Sequence, residues 1–489
     1  MNAEDADLGP GSGRARTGAL LAPVVCVGIW LAPLPLEAPA HRLAAILGAV
    51  VVAWVTEVIP IPVTALLIAP AMVATGITDA KTAFAPYADP LLFLFYGSFF
   101  IAAAMTRHGL DRRFAARIFG SRLVAGDPSR MRTAATVASV LLSMWISNTA
   151  ATAILVPILL GAVGGRNAES PDAKRRTAGH LMAIAYACSV GGIGTLVGTA
   201  PNLITARLLG EAGIEFGFVQ WLIIGLPIAC ALAVATQVTL GWFDPRKAPA
   251  VAAPKGTDVE PPRPGAWSRG ELATALSFGV AVTGWVFPSM LQIAGSPWAS
   301  TLEKALPEGA VAIVAASILF MLRDAPGGAP VLPWKEALKV DWGIIMLFGG
   351  GIALGNQMFA TGLAQALGRG FLAVTGVQDL WSLTALVIVF TVVFTEICSN
   401  TATATMLVPI VLGITTELGV SPIAPVLAVG MAATCGFALP VSTGPNAIVY
   451  GTGRVPFTTM LKAGLVLDVV SAVVLWCLLR ILCPLYGWA

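Results

Sequence analysis

Two long apolar stretches, residues 133–163 and 380–415, constrain the fold of this chain more than any other feature of its sequence. Each is too long for one membrane-spanning helix of about 20 residues, and each is interrupted midway by the polar triplet Ser-Asn-Thr. The twelve-residue segment that begins at Ser147 returns at Ser399 with eight identical positions. A polar break in an apolar stretch of this length predicts a re-entrant hairpin, two helices joined by a tight tip.

A second pair of motifs follows the two interrupted stretches in the same order. Residues 194–202 and 440–446 are rich in glycine or proline, and each segment ends in Pro-Asn. Because Gly and Pro break helices, both motifs predict an unwound stretch in the middle of a span, at 178–211 and at 423–450. The same order of motifs occurring twice predicts an internal duplication.

The composition indicates a membrane protein, since 57% of the 489 residues are hydrophobic and only 11% are charged. We therefore predict an all-α polytopic membrane protein with about eleven transmembrane helices, two re-entrant hairpins and two inverted repeats. The eleven apolar windows lie near 18–36, 42–59, 62–77, 90–106, 178–211, 218–242, 272–290, 308–323, 341–360, 423–450 and 459–482. The net charge of +3, without a clustered basic face, argues against a nucleic-acid partner. The seven scattered cysteines predict neither a metal site nor a disulfide framework.

The placement of charges predicts how the chain is inserted, because loops rich in Lys and Arg stay cytoplasmic. Arginines cluster on both sides of residues 133–163, so both ends of that hairpin are expected inside. The segments that flank 380–415 hold one cation, Arg369, so the ends of the second hairpin are expected outside. The second half is therefore inverted relative to the first, and the protein is expected in the inner membrane with a cytoplasmic N-terminus and an outside C-terminus. The predicted divisions are a cytoplasmic tail at 1–17, a first transmembrane helix at 18–41, a first repeat at 42–245, a cytoplasmic linker at 246–270 and a second repeat at 271–489.

The four repeated motifs are typical of a site that holds an anion together with cations. Ser, Asn and Thr at a hairpin tip lie beside the N-terminus of the following helix, where free N–H groups and the helix dipole favour an anion. The unwound stretches free backbone carbonyls that must find either hydrogen-bond partners or a cation such as sodium. Two facing tips predict two half-sites for a guest with two anionic ends. Because the motifs contain no Lys, Arg or His, bound cations are expected to neutralise that guest.

Structural explanations stand beside these functional ones. Ser-Asn-Thr alone is most often an N-cap or a loop, and it is the duplication in a membrane context that favours binding. Glu57 and Glu396 lie in apolar surroundings and are either functional or structural. In the structural alternative Glu57 caps a helix break and Glu396 orients backbone amides. The pair Asn356-Gln357 follows a Gly-rich span and is assigned to helix packing.

Other function classes fit less well. The three histidines are not part of an HExxH motif, and GxSxG is missing too, which argues against an enzyme. Two broken spans that face two hairpin tips suit an alternating-access carrier better than an ion channel.

With these motifs the sequence resembles the divalent anion/sodium symporter family over nearly the whole chain. The resemblance rests on the segment Trp-Val-Thr-Glu-Val-Ile-Pro-Ile-Pro at 54–62, the two Ser-Asn-Thr tips and the two Pro-Asn motifs. It implies one sodium site in each half, formed by a hairpin tip and a broken span. The implied sodium ligands are Ser143, Ser147, Asn148 and Gly198 in the first half and Thr395, Ser399, Asn400 and Ser442 in the second. The implied substrate-binding residues are Asn148, Thr149, Thr199, Asn400, Thr401 and Thr443.

The resemblance also implies an activity, namely sodium-coupled symport of C4-dicarboxylates such as succinate, malate or fumarate. It implies a homodimer in which a transport domain moves past a scaffold domain in elevator fashion, with the dicarboxylate, sodium ions and the lipid bilayer as partners. A sodium-independent dicarboxylate exchanger and a carrier of citrate or sulfate remain as alternatives. Gly444 stands where some family members have a second proline, which leaves the size of the pocket open.

Overall fold

The computed structural model describes residues 13–121, 128–163, 171–214, 216–243 and 265–488. Within these ranges the chain is helical, and its one β contact is an isolated bridge between Arg323 and Pro330. The predicted all-α class is confirmed. Residues 1–12 of the predicted tail and 246–264 of the predicted linker lie outside the described ranges.

The helices of the first half are α1 (Gly13–Leu31), α2 (Ala38–Thr56), α3 (Ile61–Ala74), α4 (Ala80–Phe84), a 3₁₀ turn (Ala85–Ala88), α5 (Pro90–His108), α6 (Leu110–Phe119), α7 (Pro128–Ser143), α8 (Asn148–Val163), α9 (Pro171–Gly192), α10 (Ala200–Glu211) and α11 (Phe218–Phe243). Those of the second half are α12 (Arg269–Ile293), α13 (Ala299–Ala305), α14 (Glu308–Met321), α15 (Trp334–Ala337), α16 (Trp342–Ala360), α17 (Leu363–Thr375), α18 (Leu380–Thr395), α19 (Asn400–Leu418), α20 (Ile423–Ala432), α21 (Gly444–Gly451) and α22 (Phe457–Leu485).

Many of these helices could cross a membrane. Eight of the described helical segments are long and apolar enough, and α17 with α18 would add a ninth if the two count as one span despite a bend of 97° between them. Four shorter apolar segments lie in α3, α8, α14 and α20. The multi-pass membrane class is thus supported by length and composition, and the number of eleven spans stays a prediction.

The helices break where the four repeated motifs occur. Residues 144–147 separate α7 from α8, and residues 396–399 separate α18 from α19, so each Ser-Asn-Thr triplet lies at a tip. Residues 193–199 separate α9 from α10, and residues 433–443 separate α20 from α21. Both α10 and α21 carry a proline in their first turn, where the missing N–H costs no helical hydrogen bond.

The first helix differs from its expected range of 18–41. It begins at Gly13 and ends at Leu31, because Pro33 and Pro35 follow at once and cannot continue it. The chain then starts a separate helix, α2, at Ala38.

The hairpins and broken helices of the two halves interlock. The helix α9 contacts α7, α8 and α11 of its own half and α21 of the other half. In the same way α20 contacts α18, α19 and α22 of its own half and α10 of the other half. A further group consists of α5, α12 and α14, and Gly97 of α5 lies so close to the backbone of Ala312 in α14 that a Cβ has no room. Arg207 of α10 joins this group through an ion pair with Asp89, which caps α5.

Glu57 ends α2 in a left-handed backbone conformation, with φ of 50°. Among the described residues it is the one non-glycine position with positive φ, which L side chains adopt rarely. This geometry favours the structural interpretation of Glu57 as a helix terminator.

Candidate functional site

A cavity of about 160 Å³ lies where the two hairpin tips and the two unwound stretches meet. It is more than ten times the roughly 15 Å³ that a single water requires, so a small organic molecule has room in it. The six residues predicted to bind substrate all line it, namely Asn148, Thr149, Thr199, Asn400, Thr401 and Thr443. The opposite wall comes from Phe95, Ser98, Phe99 and Ala102 of α5.

Four helices begin at this cavity. The first residues of α8, α10, α19 and α21 are Asn148, Ala200, Asn400 and Gly444, and each of them lines the cavity. The N-terminus of a helix carries free N–H groups and the positive end of the helix dipole. Among the described lining residues there is no Lys, Arg, His, Asp or Glu. The positive potential at this site therefore comes from backbone groups rather than from charged side chains.

The serine of each tip caps the helix that follows. Ser147 Oγ accepts a hydrogen bond from the N–H of Ala150 at 3.2 Å, and Ser399 Oγ accepts one from the N–H of Ala402 at 3.3 Å. The structural interpretation of Ser-Asn-Thr as an N-cap is thus correct for the serine. It leaves the asparagine and threonine of each tip to face the cavity.

A hydroxyl at the end of the first hairpin helix holds the asparagine of each tip. Ser143 Oγ donates to Asn148 Oδ1 at 2.6 Å. In the second hairpin Thr395 Oγ1 lies 3.0 Å from Asn400 Oδ1 and 2.6 Å from the carbonyl oxygen of Ala433. The two hairpins therefore repeat one local arrangement of oxygen atoms.

An asparagine also clamps the first unwound stretch. Asn202 Nδ2 donates to the carbonyl oxygens of Gly192 at 2.8 Å and Thr195 at 2.7 Å. Thr195 Oγ1 in turn donates to the carbonyl oxygen of Met144 in the first tip at 2.5 Å. The clamp fixes the carbonyls that the break in the helix frees.

The second unwound stretch has the same clamp 244 residues later along the chain. Asn446 Nδ2 donates to the carbonyl oxygens of Gly436 at 3.1 Å and Leu439 at 3.0 Å. Ser442 Oγ lies 3.0 and 2.8 Å from the same two oxygens, so its one O–H can donate to either. Asn202 and Asn446 are not among the predicted site residues, although the repeated Pro-Asn dipeptide is a signal for both.

The predicted first set of sodium ligands gathers around Gly192. A Cβ at this glycine would lie 2.6 Å from Asn148 Oδ1, and a Cβ at Gly198 would lie 2.5 Å from the carbonyl oxygen of Gly192. Ser143 reaches the group through its hydrogen bond to Asn148, whereas Ser147 lies on the cavity side and caps α8.

The predicted second set gathers around Gly436, the equivalent position. A Cβ there would lie 3.3 Å from both Thr395 Cγ2 and Ser442 Cβ. Asn400 joins them through Thr395, and Ser399 caps α19. Both sets are rich in hydroxyl, amide and carbonyl oxygens, and that sodium binds them stays a prediction.

Two acidic residues lie behind the second set rather than in the cavity lining. Glu396 accepts hydrogen bonds from backbone amides, as its structural alternative predicts. Asp468 was not singled out from the sequence, although a carboxyl group inside the apolar helix α22 is a signal that hydropathy reveals.

Comparison with known proteins indicates a membrane transporter. Residues 15–487 match the family described as sodium:sulfate symporter transmembrane region. An uncharacterised transporter of Haemophilus influenzae is 32% identical, over 92% of this chain and 94% of that protein. The sodium-dependent dicarboxylate transporter SdcS of Staphylococcus saprophyticus is 32% identical, over 88% of this chain and 84% of that protein. SdcS of Staphylococcus aureus strain USA300 is 30% identical, over 86% and 82%.

A solved structure resembles the fold. The YdaH transporter of Alcanivorax borkumensis superimposes with a TM-score of 0.51, over 83% of this chain and 87% of that chain. Its sequence is 15% identical, so the likeness concerns the fold.

Proposed function

Since this chain belongs to the sodium:sulfate symporter family, we propose that it couples the transport of C4-dicarboxylates such as succinate, malate and fumarate to sodium ions. The family and the relatives named above are transporters rather than enzymes, and the chain is a transporter with several apolar helices. The observation that carries the proposal is the convergence of four helix N-termini on one cavity whose described lining has no charged side chain.

The two-fold repetition of the site favours a guest with two anionic ends. Thr149 and Thr199 line the cavity from the first half, and Thr401 and Thr443 line it from the second. Each half thus offers hydroxyls and two helix N-termini to one carboxylate. The name of the relative SdcS, a sodium-dependent dicarboxylate transporter, supports this substrate class.

Sodium as the coupling ion follows from the balance of charge. Each helix N-terminus is equivalent to roughly half an elementary charge, and water screens part of that effect. Two full negative charges in a bilayer need further compensation, and the oxygen-rich sets around Gly192 and Gly436 are positions where sodium would supply it. Binding of the ion and of the dianion is then mutually favourable.

Uptake into proteoliposomes tests the proposal. Radiolabelled succinate should accumulate under an inward sodium gradient and should fail to do so when choline replaces sodium. Asn148→Ala and Asn400→Ala should each abolish most of this uptake in folded protein. Uptake that is unchanged in choline would refute sodium coupling and would instead support a sodium-independent exchanger, which requires dicarboxylate on the opposite side.

Competition distinguishes the substrates. Unlabelled succinate, malate and fumarate should each inhibit the uptake of labelled succinate, and citrate and sulfate should inhibit it weakly. Strong inhibition by sulfate with weak inhibition by succinate would refute the dicarboxylate assignment, in favour of the substrate for which the family is named.

We further propose an elevator movement, in which the hairpins and broken helices move relative to α5, α12 and α14. Spin labels at exposed Phe93 of α5 and Val389 of α18 should report a distance that changes when sodium and succinate are added. Labels at Phe93 and at exposed Leu276 of α12 should report an unchanged distance. The exposed cysteines Cys230 and Cys477 are replaced beforehand. A constant distance in both pairs would refute the movement.

The proposal includes a homodimer in the inner membrane, with a cytoplasmic N-terminus and a C-terminus outside. Light scattering in detergent should then give a protein mass of twice the 50.4 kDa of the chain. Tags at the two ends should be cleaved by protease from opposite sides of the membrane. A monomer mass, or two tags cleaved from the same side, would contradict these points.

A further inference from the structure

The second unwound stretch is held by a glutamate that lies in the adjacent hairpin tip. Glu396 is 9% exposed, and its two carboxylate oxygens accept hydrogen bonds from the N–H groups of Ala438 at 2.8 Å and Leu439 at 2.9 Å. Hydrogen bonds to a carboxylate are roughly twice as strong as those between neutral groups. A side chain of the tip thus fixes the backbone of residues 433–443.

An aspartate from the last helix completes this arrangement. Asp468 of α22 is 6% exposed and accepts a hydrogen bond from the N–H of Phe437 at 3.1 Å. Together the two carboxyl groups accept the N–H groups of three consecutive residues, Phe437, Ala438 and Leu439.

The first half of the protein has no such pair at the equivalent place. Asn400 follows Asn148 by 252 residues, and the same interval relates Glu396 to Met144. There the contact between tip and unwound stretch is the neutral hydrogen bond from Thr195 to the carbonyl oxygen of Met144. The repeat of the fold therefore does not require the carboxyl pair. Burying carboxyl groups is unfavourable unless they are well compensated, so the pair calls for a role specific to the second half.

The position of the pair points to that role. Thr395, the residue before Glu396, reaches the carbonyl oxygen of Ala433 at the start of the unwound stretch. Leu439, whose N–H bonds Glu396, offers its carbonyl oxygen to Ser442 at 2.8 Å. Thr395 and Ser442 are two of the predicted ligands of the second sodium site, so the carboxyl pair fixes the segment that carries Ser442 and that Thr395 contacts.

We propose that Glu396 and Asp468 are positioning residues that hold residues 433–443 in the geometry in which the second sodium site binds its ion. This inference rests on the proposed sodium coupling. Both Glu396 oxygens and one Asp468 oxygen accept backbone N–H groups, so the pair acts through the backbone rather than as ligands. Loss of either carboxyl group should therefore reduce the affinity for sodium more than it reduces the rate of transport at saturating sodium.

Succinate uptake into proteoliposomes at varied external sodium, with choline holding the ionic strength, tests the inference. Glu396→Gln keeps the shape but loses one amide acceptor, and it should raise the sodium concentration for half-maximal uptake about tenfold or more. The maximal rate at saturating sodium should fall much less. Asp468→Leu should behave like Glu396→Gln.

Asp468→Asn is the matched comparison. The asparagine oxygen can still accept from the N–H of Phe437, so this variant keeps that hydrogen bond and should give a clearly smaller rise than Asp468→Leu. If Glu396→Gln does not yield folded protein, Glu396→Asp, which keeps the charge and shortens the reach, should shift the sodium dependence in the same direction. Sodium-dependent thermal stabilisation, measured on the same preparations, should be reduced in parallel.

The outcomes are distinct. A lower maximal rate and melting temperature with unchanged half-saturation by sodium would overturn the positioning role, and so would an equal effect of Asp468→Asn and Asp468→Leu. Wild-type uptake that is independent of the sodium concentration would overturn the proposed function together with this inference. Wild-type uptake that depends on sodium, with variants of unchanged sodium affinity, would overturn this inference alone.

Discussion

The substitution Gly192→Ala should impair sodium-dependent uptake, because position 192 has no room for a methyl group. A Cβ there would lie 2.6 Å from Asn148 Oδ1 and 3.2 Å from Asn148 Nδ2. Ordinary contact begins at about 3.4 Å, so the amide oxygen must retreat by about 0.8 Å. It would thereby lose the 2.6 Å hydrogen bond from Ser143 Oγ and its place in the first oxygen-rich set.

The size of the effect follows from these losses. A lost hydrogen bond costs about 1 kcal/mol, and a ligand displaced from a bound charge raises this to about 2 kcal/mol. This range corresponds to an increase of about five- to thirtyfold in the sodium concentration for half-maximal uptake. The measurement is labelled succinate uptake into proteoliposomes at varied external sodium, with thermal melting as a check that the variant is folded.

The equivalent glycine of the second half supplies the control. A Cβ at Gly436 would lie 3.3 Å from its two nearest carbon neighbours, so a shift of a few tenths of an ångström accommodates it. Gly436→Ala should therefore change the sodium dependence much less than Gly192→Ala. Equal effects of the two substitutions, or wild-type sodium dependence in folded Gly192→Ala, would refute the steric reasoning.

Three further substitutions have defined expected outcomes. Gly444→Ala would place a methyl group too close to the Thr149 hydroxyl of the first tip. The succinate concentration for half-maximal uptake should therefore rise several-fold, and an unchanged value would contradict the assigned cavity. Arg207→Met leaves the buried Asp89 carboxylate without its arginine partner. The free energy of unfolding, followed by thermal melting, should therefore fall by about 3 kcal/mol. Adding Asp89→Asn should restore part of this loss. Hydrogen bonds from the Ser382 side chain and from backbone amides lower the pKa of the exposed Asp379 carboxyl at the start of α18. Its contribution to stability is therefore present above its unfolded pKa and lost as the pH falls through the folded pKa. The melting difference between wild type and Asp379→Ala should accordingly shrink in acid, and a difference independent of pH would contradict this.

The positions where helices break could be predicted from the sequence, because the causes are local. The triplet at 147–149 and its copy at 399–401 carry a capping serine, and the unwound stretches carry the glycines and prolines that stop a helix. The duplication then indicated that the two tips meet. The six residues predicted to bind substrate do share one cavity, while their role in binding stays a prediction.

The contacts behind the cavity could not be read from the sequence, because they join segments far apart along the chain. The approach of Gly192 to Asn148 depends on how α9 packs on α8, and neither residue indicates it alone. The sequence leaves open whether partners or cations satisfy the freed carbonyls, and in the structure the side-chain amides of Asn202 and Asn446 bond to some of them. The hydrogen bond between Asp468 of α22 and the N–H of Phe437 likewise depends on tertiary packing.

An apolar window does not fix where its helix ends. The window 62–77 continues past the end of α3, but the helix stops at Ala74 because Gly76 adopts a left-handed backbone with φ of 68°. Hydropathy measures the solvent that a segment prefers, not where its hydrogen bonds end, so short helices such as this one leave the number of spans unsettled by composition alone.

The lining of the cavity has a consequence for acidity. Its described walls contribute hydroxyls, amides, aliphatic groups and aromatic rings, none of which gains or loses a proton between pH 5 and 8. If the proposed dicarboxylate binds here, the groups that titrate inside the cavity are then its own carboxyl groups rather than those of the described lining. The lining would accordingly present the same surface to the ligand throughout this interval.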